Sequence, residues 1–236
     1  EQIEIWFESN PKGSLSNALL RIPCNNFQEA ERVGHELVST ILSYWSYFYD
    51  VGIEMSGYEI LEENTGSLKY SAGLIGKEKP LTDNTPFKLL PEYRRIFAAY
   101  REAMNSSSPF YQLLCFFKVT EGLISIRQKA IKKTRPLRKG EQGFELDEVF
   151  PTDLALLPVE DEITKFAFSK YLDKSFQEVR NNIKDEFRHS IAHLLEFENV
   201  IDADRYDDVT KCSQAIPVIK FIARKMLEKD LTNNKS

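Results

Sequence analysis

The stretch "GKEKPLTDNTPFKLLP" (residues 76–91) constrains this chain most. It holds three prolines, and neither helical nor strand periodicity runs through it. The hydrophobic patterning differs on its two sides, so a domain boundary is expected there: an α+β domain over residues 1–85 and a helical domain over 86–232. At 236 residues and 42% hydrophobic, the chain is long enough for two such cores.

Before the boundary, "IEIWFES" (3–9) and "NALLRIPC" (17–24) alternate like strands around the turn signals Asn10-Pro11 and Gly13. Asn26 with Glu29 three residues on predicts a helix start, and Ala30, Val33, Leu37, Ile41, Trp45 and Phe48 form one apolar stripe. Gly52 is the expected stop. Residues 53–64 and 67–75 read as a hairpin. This order predicts a small sheet with one helix packed on a face.

After the boundary, helices are expected over 92–104, 108–133, 161–172, 173–198 and 214–229, with an irregular connection over 135–158. The fold class is α+β, its larger part a helical bundle.

The bulk charge is −5, from 31 basic and 36 acidic residues, which argues against a general nucleic-acid coat but leaves room for a local patch. Such a patch stands in "RQKAIKKTRPLRK" (127–139), where Lys129, Lys132, Lys133, Arg135, Arg138 and Lys139 could hold an RNA backbone or form a solvated edge. Cys24, Cys115 and Cys212 are far apart with no CxxC, which points to a reducing, cytoplasmic setting without a disulfide framework. No stretch reaches the ~20 apolar residues of a membrane helix. No glycine-rich phosphate loop occurs, and no cofactor is expected.

Two of the three histidines lie in "KDEFRHSIAHLLEF" (184–197). Phe176, Val179, Ile183, Phe187, Ile191 and Leu194 recur every three or four residues and define a buried face. On a regular helix Arg180, Lys184 and Arg188 then form one edge, and Glu186, His189 and His193 the other. His189 and His193 have zinc-ligand spacing, but Ser190 stands where H-E-x-x-H requires glutamate, so no metal is expected. A bland alternative pairs Arg188 with Asp185 on a solvated helix. Glu121, in an apolar helix, needs a partner if buried; it could brace an arginine of the site or be a half-exposed structural acid.

"RHSIAH" (188–193) resembles the signature of the HEPN superfamily, an arginine followed after four to six residues by histidine, commonly with a polar residue next to the arginine. The helical part "FYQLLCFFKVTEGLISIRQK" is similar to the methylamine-utilisation protein J-like subgroup. The resemblance covers about residues 92–230. It implies an all-helical domain and, in many members, a metal-independent endoribonuclease of antiviral defence or toxin–antitoxin systems. Arg188 would then clamp phosphate, His193 act as general base or acid, and His189 be an auxiliary donor or second proton carrier. Lys184 and Glu121 would support them.

On a straight helix Arg188 and His193 lie ~140° apart. Either the helix is distorted there, or two copies of the motif meet across a two-fold axis. The implied partners are an RNA substrate, a second copy or another HEPN domain, and a regulatory protein or ligand at the N-terminal domain. Leu195 occupies the place of the tyrosine on which partner nucleotidyltransferases act in some HEPN toxins, so that form of control is not expected. The alternative function is a non-catalytic HEPN-like binding or scaffolding module.

Overall fold

The computed structural model describes residues 3–11, 13, 15–55, 57–62, 68–71, 74–76, 91–138, 141–144, 146–157, 159, 161–188 and 206–233. The fold is α+β. The chain divides into two compact units, Glu1–Asn105 and Ser106–Ser236. The division falls after the helix that follows the proline-rich stretch, later than the expected boundary, because that helix packs within the first unit.

In the first unit, strands β1 (Glu4–Ser9) and β2 (Leu15–Arg21) form an antiparallel ribbon with a bulge at Glu8/Ser9. Helix α1 (Phe27–Phe48) begins at Asn26, whose side chain accepts from the Glu29 backbone N–H at 2.9 Å. That satisfies one of the orphan donors of the first turn. The buried face of α1 is wider than the expected stripe and serves two neighbours. Val38 and Leu42 pack with Val51, Ile53, Leu20 and Trp45. Tyr44 and Tyr47 meet Phe97 and Tyr100 of α2 (Arg94–Asn105), which follows a short 3₁₀ turn at Pro91–Tyr93. Phe48, expected inside, is half exposed and stacks on Tyr44.

The left-handed residue ending α1 is Asp50 (φ 50), not Gly52. Gly52 answers a different need: a Cβ there would lie 2.8 Å from Met104 O and 2.7 Å from Asn105 Oδ1, so only glycine lets α2 approach this closely. The hairpin is split into two ladders, β3 (Ile53–Met55) with β6 (Leu74–Gly76) and β4 (Tyr58–Leu61) with β5 (Leu68–Ser71). Among the described residues the strands form three two-stranded antiparallel ladders.

In the second unit, α3 (Pro109–Lys132) starts at the Ser108 cap with Pro109 in its first turn. The irregular connection follows, with a 3₁₀ turn at Leu154–Leu156, then α4 (Glu162–Ser169) and α5 (Phe176–Ile183). A π-helical turn, Lys184–Arg188, continues α5. The last helix, α6 (Tyr206–Asn233), begins two turns before its expected start. Its buried line Cys212, Ala215, Val218, Ile219, Ile222, Ala223 and Met226 explains the extension, since the apolar spacing reaches back into a polar-looking segment. No helix among the described residues is long and apolar enough to cross a membrane.

Candidate functional site

Three pairings fix how the helices of the second unit run. Arg127, near the end of α3, meets Asp230 and Met226, near the end of α6, and together with the next two pairings this makes the two helices parallel. Phe176 of α5 packs on Phe221 of α6, while Glu186 of the π turn acts electrostatically on Cys212, so α5 runs antiparallel to α6. Arg180 of α5 meets Thr120 of α3 at an intermediate level. The segment opened by Arg188 therefore starts at the end of the bundle where α3 and α6 begin.

Arg180 does not lie on the solvent edge expected for it. It is 5% exposed. Its Nε–H donates to Thr120 Oγ1 at 3.1 Å, and Nη2 lies 3.8 Å from Glu121 Oε1. The Thr120 hydroxyl in turn donates to Phe117 O at 2.9 Å. Next to Val179 on the helix, Arg180 shares the inward face, and its desolvation is offset because α3 supplies both a hydroxyl and a carboxylate. Glu121 is about a third exposed and braces this arginine, which stands outside the motif itself.

One turn after Arg180 the helix changes winding. The turn Lys184–Arg188 has the wider π form, and Phe187 within it is buried. Single π turns inside helices are rare and frequent at functional sites. Lys184 is half-buried, whereas Asp185 and Glu186 are exposed. The Arg188 backbone closes the π turn; His189 and His193 lie outside the described residues. Burial, with Asp208 and Glu186 adding to it, pushes the Cys212 thiol up to about 12. Burial and Glu186 also raise the Tyr171 hydroxyl.

The basic run lies elsewhere. Arg127 turns inward, to Asp230 at 2.8 Å and Glu148 at 3.4 Å. Lys129, Lys132, Lys133, Arg135 and Arg138 are exposed; Lys139 lies outside the described residues. Arg135 is tied to Glu141 at 2.8 Å. Hydrogen bonds from the Arg138 backbone and the Arg135 guanidinium hold the Glu141 carboxyl below its usual range. At 1.5 Å per residue, Lys132 lies about 18 Å along α3 from Thr120, and Arg188 about 12 Å along α5 in the opposite sense. The basic end and the start of the motif are thus about 30 Å apart along the bundle.

Two features escaped the sequence reading. Arg127, Glu148, Asp230 and Lys229 form a charged cluster that fastens the irregular connection to α3 and α6. Beside it is a cleft of about 550 Å³ lined by Glu148, Phe176, Phe221, Lys225, Glu228 and Lys229. The only advance signal was the inward spacing of Arg127 on α3. Among the described residues, no three His, Cys, Asp or Glu side chains are grouped as a metal ion would need. His35 is exposed on α1.

The family model "Methylamine utilization protein MauJ" matches residues 96–228, which takes in most of α2, the second unit to near the end of α6, and the segment 188–193. No curated protein and no solved structure matches the chain.

Proposed function

The chain belongs to the methylamine utilization protein MauJ family, and we propose that its Arg188–His193 segment is the working site of a metal-independent endoribonuclease of HEPN type, in a defence or toxin–antitoxin setting. The observation that carries this reading is the π-helical turn ending at Arg188. On an α-helix, residues five apart diverge by ~140°, too far to grip one phosphate. The π turn precedes the motif and resets where Arg188 sits around the helix; the arginine and histidine that grip one phosphate then come from two copies of the chain.

RNA carries its own nucleophile. One histidine removes the 2′-OH proton, and the 2′-oxygen attacks the adjacent phosphorus. The P–O5′ bond breaks, and a second proton carrier protonates the leaving 5′-oxygen. The products are a 2′,3′-cyclic phosphate and a 5′-hydroxyl. Arg188 supplies positive charge to the phosphorane-like transition state, with a planar fork that lysine lacks. In this reading two copies meet across a two-fold axis, each chain completing its partner's site.

The test is cleavage of a long mixed-sequence RNA in EDTA, wild type beside His193→Ala, with analysis of product ends. Cyclic-phosphate products that vanish in the variant support the reading; cleavage unchanged in the variant defeats it.

One observation favours a second reading. The exposed lysines at the end of α3 stand about 30 Å from the motif, so the unit could hold RNA without cutting it. RNA that is bound with steep salt dependence but left intact by wild type would select that binding-module function.

A further inference from the structure

The ribbon of the first unit has two unlike faces. Ile5, Phe7, Ala18 and Leu20 turn toward α1, with Phe7 against Trp45 at 4.5 Å between ring centroids and Ala18 and Leu20 packed on the core. The opposite face carries three cross-strand pairs in register: Glu4 with Arg21, Trp6 with Leu19, and Glu8 with Asn17. Its ends are polar, with Arg21 Nη1 3.8 Å from Glu4 Oε2 and the Asn17 amide donating to Glu8 Oε2 at 3.2 Å. Its middle is apolar and in water, Trp6 being 46% and Leu19 59% exposed.

We propose that this outer face is a contact between two copies of the chain, related by a two-fold axis parallel to the strands. Such an axis lays β1 of one copy over β2 of the other without changing the level along the strand. Glu4 then faces the other copy's Arg21, Trp6 faces its Leu19, and Glu8 faces its Asn17. Every pair occurs twice. Acid meets base, apolar meets apolar, and carboxylate meets amide, so the face is complementary to itself. Two aligned sheets stacked ~10 Å apart allow this interdigitation. A central tryptophan inside a polar rim is also the usual layout of a contact's energetic centre. No third component has to be matched to the face. The contact does not depend on the ribonuclease reading.

The face is small beside the ~800 Å² per partner of a standard interface, so the association is reversible and half-fills in roughly the 10–500 μM range. The chain has two tryptophans, so Trp45→Phe leaves Trp6 as a local reporter. In that background, Trp6 emission shifts to the blue and the sedimentation coefficient rises with concentration. Glu4→Arg and Arg21→Glu each abolish the Trp6 shift and the part of the sedimentation rise that accompanies it, because like charges then face each other; association through the second unit is untouched. An equimolar mixture of the two restores them, since the exchanged charges at positions 4 and 21 are again opposite in sign across the mixed contact. Recovery on mixing also shows that both variants are folded. Three results overturn the proposal: Trp6 emission that stays at its exposed maximum, single variants that behave like the parent, or a mixture that fails to recover. Association through the second unit would raise the sedimentation coefficient and leave Trp6 unchanged, so it counts among the first of these.

Discussion

Replacing Arg180 by methionine tests the brace beneath the π turn. The side chain is 5% exposed, and its Nε–H bond to Thr120 at 3.1 Å joins a charged donor to a buried hydroxyl. A charge-assisted hydrogen bond of that kind contributes about 1.5–3 kcal/mol. The Glu121 partner, at 3.8 Å and a third exposed, adds no more than about 0.5–1 kcal/mol after solvent screening. Methionine fills much of the vacated volume and returns about 1 kcal/mol of apolar burial. Thr120 is not orphaned, because its hydroxyl still donates to Phe117 O. The net loss is about 2 kcal/mol, or roughly 6–10 °C in Tm for a unit of this size. Urea unfolding should show a lower midpoint at unchanged slope. Glu121→Gln should cost less than ~1 kcal/mol, and the Arg180/Glu121 double-mutant cycle should give a coupling below that. A loss under ~0.5 kcal/mol for Arg180→Met, or one matched by Lys184→Met, would refute the buried brace.

The thiols should separate by burial: a thiol reagent at neutral pH labels Cys24 quickly, whereas Cys115 and Cys212 react only on unfolding, Cys212 also because its thiol is pushed up to about 12. Two glycines should respond oppositely in urea titrations. Gly52→Ala loses about 1–3 kcal/mol by collision with α2 backbone, and Gly34→Ala gains up to ~1 kcal/mol of helix propensity against a flexible Ile22 methyl at 3.3 Å. Burial holds the Asp230 carboxyl above its usual range against the pull of Arg127. A carboxyl raised in the folded state binds more protons there than in the unfolded chain, so its contribution to stability increases as pH falls through the folded value toward the unfolded one. Asp230→Asn should remove that component of the slope in unfolding free energies measured from pH 6 to pH 4.

Local chemistry was legible wherever one residue type answers one backbone need. Asn26 caps α1 and Ser108-Pro109 opens α3, because a capping oxygen and a proline without N–H suit only helix starts. The split into strands and then helices was legible for the same reason. What stayed hidden depends on partners far along the chain. Arg180 reads as an edge residue until Thr120 and Glu121, some sixty positions away, arrive beside it. Gly52 reads as a helix stop, yet its role is set by Met104 and Asn105. The opening turns of α6 are polar in sequence and helical because Cys212 and Ala215 extend a stripe packed on other helices. The candidate site divides likewise. Its residue types were visible in "RHSIAH", but the π turn leading into it was not, since periodic reading assumes 3.6 residues per turn throughout.

The most direct test of a site shared between two chains is complementation. Arg188→Ala and His193→Ala are purified separately, shown to be inert on RNA in EDTA, and then mixed in equal amounts. A site that takes arginine from one chain and histidine from the other is rebuilt once in each mixed dimer. With half the dimers mixed, activity should return to about a quarter of wild type. If wild type cleaves and the mixture stays inert, each chain carries its own complete site and the shared-site account is wrong; if wild type leaves RNA intact, the ribonuclease account itself fails.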